Sequence, residues 1–193
     1  MSTRILVIHG HPDSESFCTA LAAAYRDAAR ATGAEVRDLV LADLTFEPNL
    51  RFGYRQRTEL EPCLIAAQAD LVWAQHVVLV HPVWWGSVPG LLKGFLDRVL
   101  LPGFAFKKRP GSVWWDKLLT GKTGRIISTL DQPGWYYRMR YGSPSSKALK
   151  RLTFEFCGIA PTRVTLVGPI RLSTDQTRAA FLRRIARLGA RHR

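Results

Sequence analysis

Few cysteines, few acidic residues and no long apolar run separate this chain from several large classes of protein. Its three cysteines, Cys18, Cys63 and Cys157, are odd in number and far apart, which argues against a disulfide framework. The sequence contains no C-x-x-C pair, so a structural zinc site is not expected. No stretch of about 18 apolar residues is present, so no transmembrane span is expected. The chain starts directly in a strand pattern, without the charged and apolar regions of a signal peptide. These absences predict a cytoplasmic protein with neither a metal site nor a membrane span.

Acidic residues are outnumbered by basic ones. There are 15 Asp and Glu against 28 Lys and Arg, of which 21 are Arg, for a net charge of +13. A basic surface can attract nucleic acid, but the basic residues here are dispersed and no zinc finger, RNA-recognition signature or basic zipper is present. We therefore expect no nucleic-acid partner, and a nucleic-acid-binding module remains an alternative that a steep salt dependence of DNA binding would reveal.

The order of elements indicates one α/β domain, residues 1–193. The hydrophobic fraction of 47% is that of a globular protein. Strands are predicted at residues 4–9, 35–39, 77–81, 125–129 and 162–167, and helices at residues 16–31, 60–74, 89–100, 145–157 and 174–188. This alternation predicts a three-layer sandwich around a five-stranded parallel sheet. Right-handed crossovers favour the flavodoxin-like strand order 2-1-3-4-5.

The loop after the first predicted strand has the residues of an anion site. It reads Gly10-His11-Pro12-Asp13-Ser14-Glu15-Ser16-Phe17 and opens a helix. A helix N-terminus attracts anions, and His11 and Ser16 add polar groups that suit a phosphate. The alternative is that Ser14 or Ser16 only caps the helix. The dinucleotide fingerprint G-x-G-x-x-G is absent, which argues against a Rossmann NAD domain.

The loop after the third predicted strand is rich in tryptophan. It reads Pro82-Val83-Trp84-Trp85-Gly86 and precedes another helix. Ligands of open α/β sheets bind at the carboxyl ends of the strands, so this loop and the first are expected to meet. Indole rings beside exposed backbone N–H groups suit a flat heteroaromatic ligand. The alternative is that the tryptophans only pack the following helix on the sheet.

The fourth predicted strand ends at Thr129, and the loop that follows it begins with Leu130-Asp131 and is predicted to run without regular structure to Pro144. Aromatic residues are frequent in it, and they either cover a ring or pack on a neighbour. Nothing pairs Asp131 with a nucleophile, so no general-base role is assigned to it. No Ser-His-Asp or Cys-His constellation has local support.

With these loops, the chain resembles the flavodoxin-like NAD(P)H:quinone oxidoreductase family, the group of mammalian quinone reductase, the bacterial modulator of drug activity B and the ancillary flavoproteins of potassium efflux systems. Three stretches carry the resemblance, residues 9–17, 82–99 and 103–106. The middle stretch is the specific one, and the first alone would be weak.

The resemblance implies a flavin held by all three loops. The first loop would bind its phosphate, backbone groups of the second would cradle the isoalloxazine edge, and the third would lie by N1 and O2 of the ring. The residues assigned in this way are His11, Ser16, Phe17, Cys18, Pro82, Val83, Trp84, Trp85, Gly86, Thr129, Leu130 and Asp131. Cys18 replaces an Asn common in the family, and the third loop replaces the usual Thr-Thr-Gly-Gly and adds a carboxylate. Tyr137 falls where the family has a tyrosine beside the substrate ring and is the expected catalytic residue.

The resemblance also implies an activity and an assembly. NAD(P)H would deliver a hydride to the flavin, and a quinone or similar acceptor would then take the two electrons. FMN is favoured as the flavin and FAD remains possible. The alternative function is a flavodoxin-like electron carrier or regulatory flavin-binding subunit with little activity of its own. A homodimer is expected, with residues 42–58 and the Trp114-Trp115 loop as candidates for partner contact.

Overall fold

A computed structural model describes residues 2–56 and 58–192. Met1, Arg57 and Arg193 lie outside the described residues, and Arg57 belongs to the segment expected to contact a partner. The described residues form seven strands, β1 (Arg4–His9), β2 (Glu35–Val40), β3 (His76–Pro82), β4 (Phe106–Lys108), β5 (Trp115–Lys117), β6 (Lys122–Thr129) and β7 (Ile159–Val167). The α-helices among them are α1 (Phe17–Ala31), α2 (Pro62–Trp73), α3 (Gly90–Val99), α4 (Gly134–Tyr141), α5 (Pro144–Lys147), α6 (Glu155–Cys157) and α7 (Asp175–Gly189). A 3₁₀ turn covers Leu41–Asp43, and Ala148–Phe154 between α5 and α6 is π-helical.

The five long strands form one sheet in the order β2-β1-β3-β6-β7. Every neighbouring pair in it is parallel. The predicted topology is therefore confirmed, because β6 and β7 are the fourth and fifth strands of the sheet. The two short strands β4 and β5 pair antiparallel with each other outside this sheet.

Alternate residues of the buried strands supply two cores, one on each face of the sheet. Ile5 and Val7 of β1 pack in the cluster that contains α1 and α7 residues such as Tyr25 and Ile185. Leu6 and Ile8 point to the other face, in the cluster of α2 and α3. Because side chains alternate along a strand, a strand covered on both faces is apolar throughout, as these are.

The region after β6 differs from the prediction. Residues 130–144, predicted as loop, contain α4 and the start of α5, and the helix predicted at 145–157 is divided by the π-helical segment. The aromatic residues of α4 are weak helix formers, so its sequence gives little helical signal. Tyr137 packs in a small cluster with Leu130 and Leu166, and this tertiary contact stabilises the helix.

The carboxyl ends of β1 and β3 approach very closely, which fixes the first two loops side by side. The Gly10 amide donates to the Val80 carbonyl at 2.8 Å. A Cβ atom at Gly10 would lie 2.9 Å from Leu92 Cδ2 and 3.2 Å from His81 Cβ. Glycine is therefore required here for close packing rather than for backbone freedom.

Candidate active site

The three loops meet at the carboxyl edge of the sheet around a cavity of about 210 Å³. The cavity is lined by His11, Ser16, Phe17, Cys18, Pro82, Val83, Trp84, Thr129, Leu130, Asp131 and Ile170. The structure thus brings together the residues expected to bind the cofactor, except Trp85 and Gly86, which lie on the rim turn. Ile170 was not expected. Ile170 follows β7, whose carboxyl end lies at the same edge of the sheet as the three loops, so the strand order could have predicted its place in the cavity.

One end of the cavity is the N-terminus of α1. Ser16 is the N-cap residue, and its Oγ accepts the Thr19 amide hydrogen bond at 3.3 Å. The prediction that Ser14 or Ser16 caps the helix is therefore confirmed for Ser16. Within the described residues, the amides of Phe17 and Cys18 in the first turn donate no hydrogen bond. These amides and the positive end of the helix dipole can bind an anion.

His11 lies beside this helix terminus with a defined hydrogen-bonding state. Its Nδ1 accepts the Asp13 amide at 2.9 Å, so the neutral ring carries its proton on Nε2. The imidazole meets the Trp84 ring edge-on, with the ring centroids 5.4 Å apart. His11 therefore joins the first and second loops and leaves an Nε2–H donor for a ligand.

Cys18 is a buried residue whose thiol stays protonated. Its Sγ lies 3.2 Å from Thr129 Oγ1, a contact between the first and third loops. Burial raises the pKa of the thiol to about 11, against a smaller lowering by the Thr129 hydrogen bond. Because the thiolate is the reactive form, Cys18 is not a nucleophile near neutral pH.

The second loop ends in a tight, strained turn. The Trp84 amide donates to the Ser87 carbonyl at 3.2 Å, and the Ser87 amide donates back to Trp84 at 2.8 Å. The two central residues both have positive φ, 51° at Trp85 and 73° at Gly86, as in a type I′ turn. The Trp85 side chain is fully exposed, so packing does not force this conformation. A bulky residue in the left-handed region is uncommon and is typical of functional turns.

The central amides of this turn are free to bind a ligand. Within the described residues, neither the Trp85 nor the Gly86 N–H donates a hydrogen bond. The turn therefore presents two donors next to the half-exposed Trp84 ring, which lines the cavity.

The third loop is fixed by its backbone. The Thr129 carbonyl accepts the Val83 amide at 2.9 Å, and the Leu130 amide donates to Val167 at 2.9 Å. The Leu130 carbonyl accepts the Ile170 amide, also at 2.9 Å. Asp131 is exposed and has no hydrogen bond to a described residue. The loop is thus a rigid wall that ends in a solvated carboxylate.

Tyr137, the expected catalytic residue, lies outside the cavity lining. It is only 2% exposed, and its phenol oxygen accepts the Ser145 amide at 3.1 Å. In this arrangement the phenol holds the corner between α4 and α5. Pro144 at that corner is also the neighbour that a Cβ atom on Gly86 would meet, at 3.6 Å. A direct contact of Tyr137 with the substrate stays a prediction.

The arrangement suits an elongated ligand with an anion at one end and a flat ring at the other. Unpaired helix amides supply the anion end, and the tryptophan turn with its unpaired amides supplies the ring end. A flavin mononucleotide has this chemistry, so the residues present fit a flavin. In residues 2–56 and 58–192, no group of three His, Cys, Asp or Glu side chains could hold a metal ion.

Comparison with known proteins agrees with this interpretation. A family model described as flavodoxin-like fold matches residues 3–191. A Haemophilus influenzae protein named as an uncharacterized NAD(P)H oxidoreductase is 32% identical over 183 residues, 92% of this chain and 89% of the relative. Human ribosyldihydronicotinamide dehydrogenase [quinone] is 28% identical over 181 residues, 80% of this chain and 77% of the human protein.

A solved structure shows the same fold. The FMN-dependent NADH-azoreductase of Bacillus anthracis, solved in complex with FMN, superposes with a TM-score of 0.75 at 16% identity, over 98% of this chain and 99% of the azoreductase. No helix among the described residues is long and apolar enough to cross a membrane. From the family match and the relatives, the chain belongs to the flavodoxin-like NAD(P)H:quinone oxidoreductase family.

Proposed function

We propose that the chain is a flavin-dependent NAD(P)H oxidoreductase that passes two electrons by hydride transfer to a quinone or similar acceptor. The observation that carries the proposal is that one cavity is lined both by an anion-binding helix terminus and by the Trp84 ring, which begins a turn with unpaired amides. The names of the relatives, an NAD(P)H oxidoreductase and a quinone-linked dehydrogenase, support the electron donor and the acceptor.

In this proposal the first loop holds the flavin phosphate. The amides of Phe17 and Cys18 and the Nε2–H of His11 are the donors available to an anion there, beside the Ser16 hydroxyl, which caps α1 and lies 3.1 Å from Thr19 Oγ1. None of these groups carries a full negative charge, so none repels a phosphate.

The second and third loops hold the ring. The chemistry that a flavin would supply there is redox chemistry, the acceptance of a hydride from NAD(P)H and the transfer of two electrons to the acceptor. The Trp85 and Gly86 amides would be donors to the bound ring and would stabilise negative charge on it, because they are fixed by the turn and have no other partner in the described chain. The rigid Thr129–Asp131 wall closes the other side, and Tyr137 supports the site through the α4–α5 corner.

FMN is the favoured flavin. A cavity of about 210 Å³ lies below the roughly 300–1,000 Å³ of sites that enclose a drug-sized ligand, so part of a bound flavin would extend beyond the cavity. The azoreductase of the same fold was solved with FMN. FAD would need a further subsite for its adenosine group. If the purified protein retains FAD and not FMN, the preference for FMN is wrong.

The proposal includes a homodimer. Exposed apolar side chains occur in both segments expected to contact a partner, Phe52 and Tyr54 in one and Trp114, next to the exposed Val113, in the other, whereas Trp115 stacks on Phe156. Exposed apolar patches mark interaction sites. We expect light scattering to give twice the chain mass, and a monomeric mass would reject the dimer.

We place the enzyme in the cytoplasm within the same proposal. Cys18, Cys63 and Cys157 are unpaired, as is usual in a reducing compartment. Cell fractionation of the native host tests this, and recovery from an oxidising compartment would contradict it.

Steady-state turnover tests the function directly. Protein reconstituted with FMN is mixed with NADH or NADPH and a water-soluble quinone, and oxidation of the nicotinamide is followed by absorbance. The proposal expects multiple turnovers that depend on both substrates. Flavin that stays bound but turns over no faster than free FMN would instead support the electron carrier or regulatory subunit.

A further inference from the structure

A buried histidine and serine lie directly beneath the second loop. His81 in β3 and Ser128 in β6 are register neighbours in the sheet and are both 0% exposed. His81 Nδ1 lies 2.8 Å from the Pro82 carbonyl oxygen, and its Nε2 lies 2.9 Å from Ser128 Oγ. Both ring nitrogens therefore have partners inside the protein, in a strand that is otherwise apolar apart from its first residue.

The partners determine the state of the imidazole. A carbonyl oxygen can only accept, so the proton must be on Nδ1 and is donated to Pro82. Nε2 then has a lone pair and accepts the Ser128 hydroxyl hydrogen. Burial lowers the pKa of His81 to about 4, so the ring stays neutral at physiological pH.

The carbonyl held by His81 belongs to the peptide that joins Pro82 to Val83. The N–H of this same peptide donates to the Thr129 carbonyl at 2.9 Å. The peptide plane is thus fixed from both sides, by the imidazole on its oxygen and by β6 on its nitrogen. Pro82 and Val83 both line the cavity, and the strained Trp84–Ser87 turn follows at once.

We propose that His81 is a positioning residue, which fixes the Pro82–Val83 peptide and through it the orientation of the tryptophan turn towards the flavin ring. This inference rests on the proposed function, because it concerns how that ring is held. Ser128 supports this role, because its hydroxyl donates to the imidazole and holds it in the rotamer that reaches the Pro82 carbonyl. An aliphatic side chain could fill the same space without donating to the loop.

Matched substitutions separate the effect of the hydrogen-bond donor of His81 from the effect of the space that its side chain fills. In H81N the amide nitrogen takes nearly the place of Nδ1 and can still donate to Pro82. In H81Q the amide lies nearer the place of Nε2, where it reaches Ser128 and not Pro82. H81L fills space without donating, and Ser128→Ala removes only the support of the ring.

Two readouts are measured for each variant, with the melting temperature as a check on folding. One is the dissociation constant for FMN, from quenching of flavin fluorescence. The other is the exchange rate of the Val83 amide hydrogen in flavin-free protein, which reports opening of the anchored peptide. We expect H81N to stay within about threefold of wild type in both, whereas in H81Q and H81L the dissociation constant and the exchange rate should each rise about tenfold, the size of one buried hydrogen bond. Ser128→Ala should fall between them.

The outcomes distinguish this inference from the proposed function. If wild type binds FMN and H81L and H81Q bind it equally well, His81 is only a core residue and the inference is overturned. Equal loss in H81N and H81L would also overturn it, since the donor to Pro82 that H81N keeps would then make no difference. If wild type itself binds no flavin, the proposed function fails and the positioning role fails with it.

Discussion

At the scale of single residues, the site combines strain with fixed polar groups. Trp85 keeps a left-handed backbone while its ring is fully exposed, so the fold gains no burial from it. Cys18 and Tyr137 show the opposite pattern, because both are buried and each makes a defined hydrogen bond. The proposed function would explain the conformation of Trp85, and packing explains much of the placement of Cys18 and Tyr137.

Replacing Trp85 by glycine should separate stability from binding. Trp85→Gly removes a left-handed backbone cost, so the free energy of unfolding should stay unchanged or rise by up to about 1 kcal/mol. The loss of the indole should weaken FMN binding about 3- to 10-fold. Chemical denaturation and fluorescence titration measure the two effects. Trp85→Phe is the control, which keeps an aromatic ring and the strain. A fall in stability with unchanged FMN affinity would contradict this account.

The Cys18 thiol should be unreactive in the folded protein. Its pKa is raised to about 11 by burial, so only about 0.1% is thiolate at pH 8. An alkylating reagent at pH 8 should label the partly exposed Cys63 first, and Cys18 only after unfolding or as the pH approaches 11. Mass spectrometry of peptides gives the rates. Rapid labelling of Cys18 in the folded protein at pH 8 would show that its environment is wrongly assigned.

At the scale of elements, the α4–α5 corner supports the loop that carries the site. Tyr137 OH accepts the buried Ser145 amide, and the corner approaches the turn at Gly86. Tyr137→Phe leaves that amide without its partner, which should cost about 1–2 kcal/mol of unfolding free energy. Turnover measured well below the melting temperature should change less than about threefold if the role is structural. A tenfold loss of kcat with an unchanged melting temperature would instead support the direct substrate contact that the resemblance implies.

The sequence predicted the elements whose residues are buried on repeated faces. The strands β1 and β3 are apolar runs ended by Gly10 and Pro82, so both their existence and their ends were visible. The hairpin β4–β5 was missed because its three-residue strands are largely polar and exposed. Helix α4 was missed because its helicity depends on the contact of Tyr137 with Leu130 and Leu166, which lie elsewhere in the sequence.

The site was predictable for the same reason as the sheet. Parallel topology brings the carboxyl ends of β1, β3 and β6 to one edge, so three loops far apart in sequence were expected together. The conformation of Trp85 was not predictable, because positive φ is unusual for tryptophan. Nor was the His81–Ser128 pair, because it depends on the exact register of β3 against β6.

At the scale of the whole molecule, one cavity joins the two halves of the proposed flavin site. The sheet aligns the helix N-terminus, the tryptophan turn and the Thr129 loop, and family membership agrees with the ligand these groups fit. The net charge of +13 favours long-range attraction of anionic ligands in general.

Flavin retention tests the central claim most directly. The purified protein is incubated with FMN or with FAD, freed of excess ligand by gel filtration, and its visible absorption spectrum is recorded. The account predicts a yellow protein that retains FMN in about one equivalent per chain. A colourless protein that retains neither flavin would contradict it, and would leave a flavodoxin-like fold whose loops serve another ligand.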